Sequence, residues 1–158
     1  MSKITLVSAC MLEIPCKYSA TCASKRLPEE IIKHLDLIIV PICPEQLGGL
    51  CTPRSEAQIV GGTGMDVING IAKVMTHDGQ NVTKQYLKGA EIACKIADIS
   101  HATMAIVKAR SPSCSKYEIY DGSFSQIRIP GMGVATAMLS IKTKLEIFDL
   151  DDIENLYQ

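Results

Sequence analysis

Ile4-Thr5-Leu6-Val7-Ser8-Ala9-Cys10 is a short apolar, β-rich run that stops at a cysteine. Two later stretches repeat the arrangement. Leu37-Ile38-Ile39-Val40-Pro41-Ile42 ends at Cys43-Pro44-Glu45, and Thr103 to Lys108 ends in the loop Ala109-Arg110-Ser111-Pro112-Ser113-Cys114. Continuous apolar runs of this length read as strands buried on both faces, the habit of parallel sheets covered by helices. Between the first two, Pro28 followed by Glu29-Glu30 opens a helix expected to reach about His34, the acidic pair suiting its N-terminus. Two strands joined by a helix make a parallel unit.

Working outward, Asn81 is expected to cap a long helix whose apolar positions Val82, Tyr86, Ala90, Ala93 and Ala97 recur at helical spacing to about Ile99. Gly133 to Ile141 reads as a further helix and Leu145-Glu146-Ile147-Phe148 as a last strand. Val67-Ile68 and Ile71 to Met75 flank Asn69-Gly70, which predicts a hairpin on a type I′ turn. Glu118 to Ile129 alternates loosely around Asp121-Gly122 and is expected to form a small β excursion. The fold class that follows is α/β: a single Rossmann-like domain over residues 1–158 with a mostly parallel sheet, helices on both faces and a small β-hairpin excursion.

The composition agrees with a folded chain. A hydrophobic fraction of 47% with 21% charged residues excludes a disordered or low-complexity protein. Sixteen basic residues against seventeen acidic ones give a net charge of -1, which argues against a nucleic-acid duplex as partner, because gripping phosphates normally needs a basic surplus. With no Trp and two Phe, stacking platforms for single strands are scarce. No apolar run is long enough to span a membrane, and Met1 to Leu12 has no signal-peptide character, so the expected compartment is the cytoplasm.

Seven cysteines are many for a chain of 158 residues, and in a reducing compartment an odd count reads as metal binding or catalysis rather than a disulfide frame. Cys10, Cys43 and Cys114 each stand just past the C-terminal end of an expected central strand. In open parallel sheets those ends line one crevice, at the point where the strand order reverses. Three converging thiolates suit a soft metal centre, and three protein ligands leave one position open. Taken one at a time, each cysteine reads first as core packing. Cys94, on the apolar side of the long helix, is assigned to packing, while Cys16, Cys22 and Cys51 are loop thiols: spectators, alternative ligands or oxidation-prone groups. His34, His77 and His101 read as surface or packing residues. Gly61-Gly62-Thr63-Gly64 reads as a turn, since no Gly-Lys-Ser/Thr follows to make a phosphate cradle.

Several blocks in order, Ser8-Ala9-Cys10-Met11-Leu12, Cys43-Pro44-Glu45 with Leu47-Gly48-Gly49-Leu50, Thr52-Pro53-Arg54, Ile59-Val60-Gly61-Gly62, and Lys108 to Cys114 followed by Tyr120-Asp121-Gly122, resemble the thiouracil desulfidase family over nearly the whole chain. The resemblance implies a 4Fe-4S cluster held by three cysteines, which map onto Cys10, Cys43 and Cys114, with the fourth iron not ligated by protein. It implies a non-redox desulfuration of a thiolated uracil (2- or 4-thiouracil) to uracil and hydrosulfide, the substrate sulfur binding the open iron. The partner is then a small thiolated pyrimidine. Glu45 is the candidate acid/base and Ser111 the candidate for positioning water or relaying a proton. Each has a plainer reading: Glu45 as a helix cap or the partner of Arg54, Ser111 as a turn residue. The chain departs from the family pattern at Glu13, where Gly is usual, at Lys17-Tyr18-Ser19-Ala20 for Arg-Tyr-Asp-Gly, at Cys51 for Pro, and at Ser115 for Gly. Two rival readings are a sulfur-transfer enzyme using Cys114 as a low-pKa nucleophile, and a non-catalytic metal-binding or redox-sensing module.

Overall fold

The computed structural model describes residues 1–158. In chain order the elements are β1 (Lys3–Ser8), α1 (Glu29–His34), β2 (Leu37–Ile42), α2 (Pro44–Leu47), β3 (Ala57–Val60), α3 (Gly64–Ile68), β4 (Lys73–Thr76), α4 (Thr83–Ser100), β5 (Met104–Val107), β6 (Glu118–Tyr120), β7 (Arg128–Pro130), α5 (Val134–Lys142), β8 (Glu146–Asp149) and α6 (Leu150–Tyr157), with a 3-10 turn at Ala9–Leu12 directly after β1. The central sheet has the order β2-β1-β5-β8, and every pairing in it is parallel. No helix is long and apolar enough to cross a membrane.

The three cysteine-terminated runs form β1, β2 and β5, as their apolar character predicts. Alternation along the inner strands then sorts side chains to two faces. Val7, Met104 and Ile106 point to one face and pack with Ile31 of α1 and Leu150 and Ile153 of α6. Leu6, Ala105 and Val107 point to the other and meet Ala93 and Ala97 of α4 and Leu139 of α5. Each large aliphatic side chain buried in this way contributes about 1.5–3 kcal/mol. The strand order changes direction between β1 and β5, because the chain steps from β1 out to β2 and then returns across β1 to β5. That switch point is stitched: the Lys108 amide donates to Ser8 Oγ at 3.0 Å.

A third core, built from Ile59, Val74, Tyr86, Ala90, Val134 and Met138 among others, lies under the antiparallel pair β3-β4. The expected hairpin around Asn69-Gly70 is corrected here. Val67 and Ile68 belong to helix α3, whose start is fixed by the Thr63 amide donating to Asp66 Oδ2 at 2.8 Å, and β4 pairs with β3 instead. Asn69-Gly70 closes that helix, with Gly70 at φ 76. The expected β excursion is present as the pair β6-β7.

The sequence reading had no element at α2 or α6. The short helix α2 lies across α4 at a distance only glycine permits. A Cβ on Gly48 would overlap the Gln85 carbonyl oxygen, and one on Gly89 would overlap the Pro44 carbonyl oxygen. This crossing carries Glu45 up to Tyr86. At α6, Asp149 and Asp152 cap reciprocally, each carboxylate taking the other's backbone N–H at 2.9 and 3.0 Å.

Candidate active site

A cavity of about 250 Å³ opens beyond the C-terminal ends of β1, β2 and β5 and takes residues from each following loop. It lies at the switch point, where open α/β sheets bind ligands. All five residues singled out from the sequence, Cys10, Cys43, Cys114, Glu45 and Ser111, line it. Cys10 sits on the 3-10 turn after β1, Cys43 caps α2 after β2, and Ser111 and Cys114 lie in the loop after β5. A fourth thiol, Cys16, joins them from the loop that follows the 3-10 turn and is 2% exposed. Cys22, Cys51 and Cys94 do not line the cavity; Cys51 is exposed and turns its thiol to the Pro53 carbonyl.

Glu45 is held on both oxygens. Its Oε1 accepts the Tyr86 hydroxyl at 2.7 Å and Arg54 Nε at 3.2 Å. Its Oε2 accepts the Ser113 hydroxyl at 3.0 Å. Because the Ser113 proton is committed to Glu45, Ser113 Oγ is the acceptor toward Ser111 Oγ, 3.0 Å away. Ser111 Oγ in turn accepts the amides of Ser113 and Cys114 at 3.2 and 3.1 Å. The hydroxyls thus run in one direction, Ser111 to Ser113 to Glu45, and the one unused lone pair on the carboxylate belongs to Oε2. Arg54 also donates from Nη2 to the Cys16 carbonyl at 2.9 Å, tying the carboxylate to the first cysteine loop.

The sequence reading of Glu45 as the partner of Arg54 holds, with the ion pair nearly enclosed. Burial alone would lower the pKa of Arg54, but the neighbouring Glu45 carboxylate outweighs it and holds the guanidinium above its usual range. Burial raises the Tyr86 phenol well above its usual range, so it stays a hydrogen-bond donor. Burial lowers the Lys108 ammonium, and the cation Lys17 beside it acts in the same direction. Among the thiols, the hydrogen bond with Cys10 pushes Cys16 up to about 11, and the bond with Cys16 pushes Cys43 up further. Burial raises Cys114, the opposite of an activated nucleophile, which weighs against the rival reading of that residue.

Tyr86 and Ser113 went unnoticed in the sequence. Tyr86 falls on the apolar stripe of α4, and its phenol is the only hint that the position has a polar duty. Ser113 shares a turn with Ser111, and spacing alone does not tell which hydroxyl reaches Glu45. Of the departures from the family pattern, Glu13 and Ala20 stand in the left-handed region at φ 63 and 59, where glycine has no steric cost. Ser115 lies outside that region and is buried, with its hydroxyl donating to the Glu118 carbonyl. The three histidines take no part: His34 packs on Tyr157, His77 on Phe124, and His101 ends α4.

The donor set suits a soft, polynuclear group. Four thiols line one cavity, and the Glu45 carboxylate that lines it with them is already bound to Arg54 and Tyr86. The amide of Gln46 points at the Cys43 sulfur, as backbone donors do around cluster thiolates. No three His, Cys, Asp or Glu side chains converge on one point as the ligands of a single ion do.

Comparison with known proteins bears on the same residues. The model of the 2-thiouracil desulfurase family matches residues 5–151. Uncharacterized protein YbbK of Bacillus subtilis (strain 168) is 41% identical over 134 residues, covering 85% of this chain and 87% of that protein. A solved structure described as [4Fe-4S]-dependent thiouracil desulfidase TudS superposes with a TM-score of 0.81 at 29% identity, over 99% of this chain and 96% of the other. The matched span runs from within β1 into α6 and so contains the strand ends and loops that build the cavity. The chain belongs to the 2-thiouracil desulfurase family of enzymes.

Proposed function

We propose that this chain removes sulfur from a thiolated uracil by hydrolysis, using a 4Fe-4S cluster held by three thiols of the cavity, with Glu45 as the acid/base and Ser111 and Ser113 as its hydroxyl relay. The observation that carries the reading is the placement of four thiols and a polarised Glu45–Ser113–Ser111 chain in one cavity at the switch point. Cys10, Cys43 and Cys114, one from beyond each strand end, would hold the cluster. When bound, the cluster supplies an open iron that acts as a Lewis acid on the thiocarbonyl sulfur.

The protein's own groups handle water and protons. The overall change adds one water to the ring carbon that carries sulfur and releases hydrogen sulfide: a C–O bond forms, the C–S bond breaks, and no electron enters or leaves. Glu45 Oε2, the carboxylate oxygen with a free lone pair, takes the proton of the attacking water and later returns it to the product side. Arg54 and Tyr86 hold Oε1 and so aim Oε2. Ser111 and Ser113 keep a hydroxyl chain beside it along which the water is oriented. Lys17 and Lys108 at the cavity bring positive charge toward a thiolate-rich wall.

The test is turnover of 2- and 4-thiouracil in oxygen-18 water by the anaerobically reconstituted protein, without any electron donor. The expected result is uracil carrying one labelled oxygen at the former C=S position and an equal amount of sulfide. A requirement for a reductant, or unlabelled product, would refute the hydrolytic reading.

A further inference from the structure

We infer that Glu56 is a specificity-determining residue of this cavity, its carboxylate accepting a ring N–H of the thiolated pyrimidine. The inference rests on the desulfuration reading above and names the group that recognises its substrate. Glu56 lines the same cavity as Glu45, Ser111 and the thiols. It reaches that cavity from a different part of the fold. Cys10, Cys43 and Cys114 follow the parallel strands β1, β2 and β5, whereas Glu56 directly precedes β3 of the antiparallel pair.

The Glu56 backbone is fixed and its side chain is left free. Its carbonyl accepts the His77 amide at 2.8 Å, the adjacent Ala57 pairs with Thr76, and two residues earlier the Arg54 amide donates to the Tyr18 carbonyl at 2.8 Å. The half-buried carboxylate takes no hydrogen bond and no ion pair from the chain, although four cations line the cavity with it. Arg54 is given to Glu45, Arg110 to Glu118, and Lys108 to the Ala109 carbonyl. Burial raises the Tyr18 phenol, and the Glu56 carboxylate and Tyr120 act in the same direction. Glu56 thus stands near two rings that also line the cavity.

A thiolated uracil presents both acceptors and donors: its remaining carbonyl oxygen and its thiocarbonyl sulfur on one hand, its ring N–H groups on the other. The cations of the cavity can serve the carbonyl. Side-chain acceptors for the N–H groups are scarcer, because most are already engaged. Glu45 Oε1 takes Tyr86 and Arg54, its Oε2 takes Ser113, and the lone pair that remains serves the attacking water. Ser111 Oγ accepts two amides and Ser113 Oγ faces the Ser111 hydroxyl. Glu56 is the carboxylate of the cavity left free for the ring. A carboxylate meeting an N–H makes a charge-assisted hydrogen bond, and a site built to pair an N–H rejects an analogue that lacks it.

The experiment measures sulfide release by the anaerobically reconstituted protein and by Glu56→Ala, with the better of 2- and 4-thiouracil and with the same base methylated at N1 or at N3. Iron is counted per chain beside it. In the unaltered protein, methylation of the N–H that meets Glu56 is expected to lower kcat/KM by roughly tenfold or more. In Glu56→Ala that penalty should shrink to near unity, because the unmethylated base has itself lost the bond, mainly through a raised KM. Iron content and melting temperature should match those of the unaltered protein, since the carboxylate bonds to nothing in the chain. Equal methylation penalties in the two proteins at both nitrogens, or an unchanged KM for the unmethylated base in Glu56→Ala, would overturn the assignment. Absence of sulfide release from either thiouracil by the unaltered, iron-loaded protein would refute the desulfuration reading instead, which keeps the two claims separable.

Discussion

Tyr86→Phe removes one oxygen from the molecule, and its consequences follow from the geometry of Glu45. The lost hydroxyl is buried and bonds only to Glu45 Oε1, at 2.7 Å. A hydrogen bond to a charged group is worth about 1.5–3 kcal/mol, and at about 2–4 °C per kcal/mol for a chain of this size the melting temperature should fall by roughly 3–12 °C. Arg54 Nε, at 3.2 Å, then holds Oε1 alone, so the carboxylate is free to swing and Oε2 loses its aim. If half of the upper figure is orientation, about 1.5 kcal/mol, kcat falls roughly tenfold. Iron content should not change, because the Tyr86 hydroxyl bonds to Glu45 and not to a thiol, and KM should move less than kcat because the lost bond is internal to the protein. The assay is steady-state sulfide release beside a thermal melt and an iron count. A lowered melting temperature with unchanged kcat would reduce Tyr86 to a packing residue and refute the claim that it aims Glu45.

Three further outcomes test the structure around the site. Gly89→Ala places a methyl group against the Pro44 carbonyl, so α2 must retreat; a stability loss of about 1–3 kcal/mol and a loss of about 10²-fold in kcat are expected, and activity near that of the unaltered protein would show that the α2–α4 crossing does not set Glu45. Ala20→Gly relieves a left-handed residue at φ 59 and should raise stability by about 0.5–1 kcal/mol, a fall in melting temperature contradicting the backbone argument. Asp152 has its pKa lowered below 3.8, burial opposing the shift but the hydrogen bond from Lys116 prevailing. Its folded-state pKa lies below the unfolded one, so its contribution is present above about pH 4 and fades as pH falls through the lower folded value; Asp152→Asn should therefore melt lower at neutral pH and converge with the unaltered protein in acid, and an equal deficit at all pH values would count against the linkage.

The sheet was legible because β1, β2 and β5 are unbroken apolar runs, each ending at a cysteine, and a strand buried on both faces has no other pattern. Placing Cys10, Cys43 and Cys114 at strand ends was enough to foresee that they share a cavity, while Glu45 and Ser111, which also line it, were named from the family resemblance. What remained hidden depended on tertiary contact. Val67-Ile68 before Asn-Gly has the local chemistry of a hairpin, but Thr63 and Asp66 cap a helix there and Ile59 to Val74 pairing takes the strand role away. The helix α6 buries only Leu150 and Ile153 within an acidic stretch, too sparse a stripe to read. Helix α2 is a single turn whose position is decided by glycines at Gly48 and Gly89, far apart in sequence. Tyr86 looked like any apolar residue of α4 until α2 was seen to cross it. Cys16 lies in a loop with no periodicity, and only the fold brings it to the cavity of Cys10 and Cys43.

Counting iron and acid-labile sulfide per chain against the rate of sulfide release, across preparations reconstituted anaerobically to different extents, tests the central claim most directly. The account expects about four irons per fully active chain, a rate proportional to cluster occupancy with 2- or 4-thiouracil as substrate, and no release from metal-free protein whose thiols are intact. Sulfide release by that metal-free protein at a rate equal to the loaded one would contradict it.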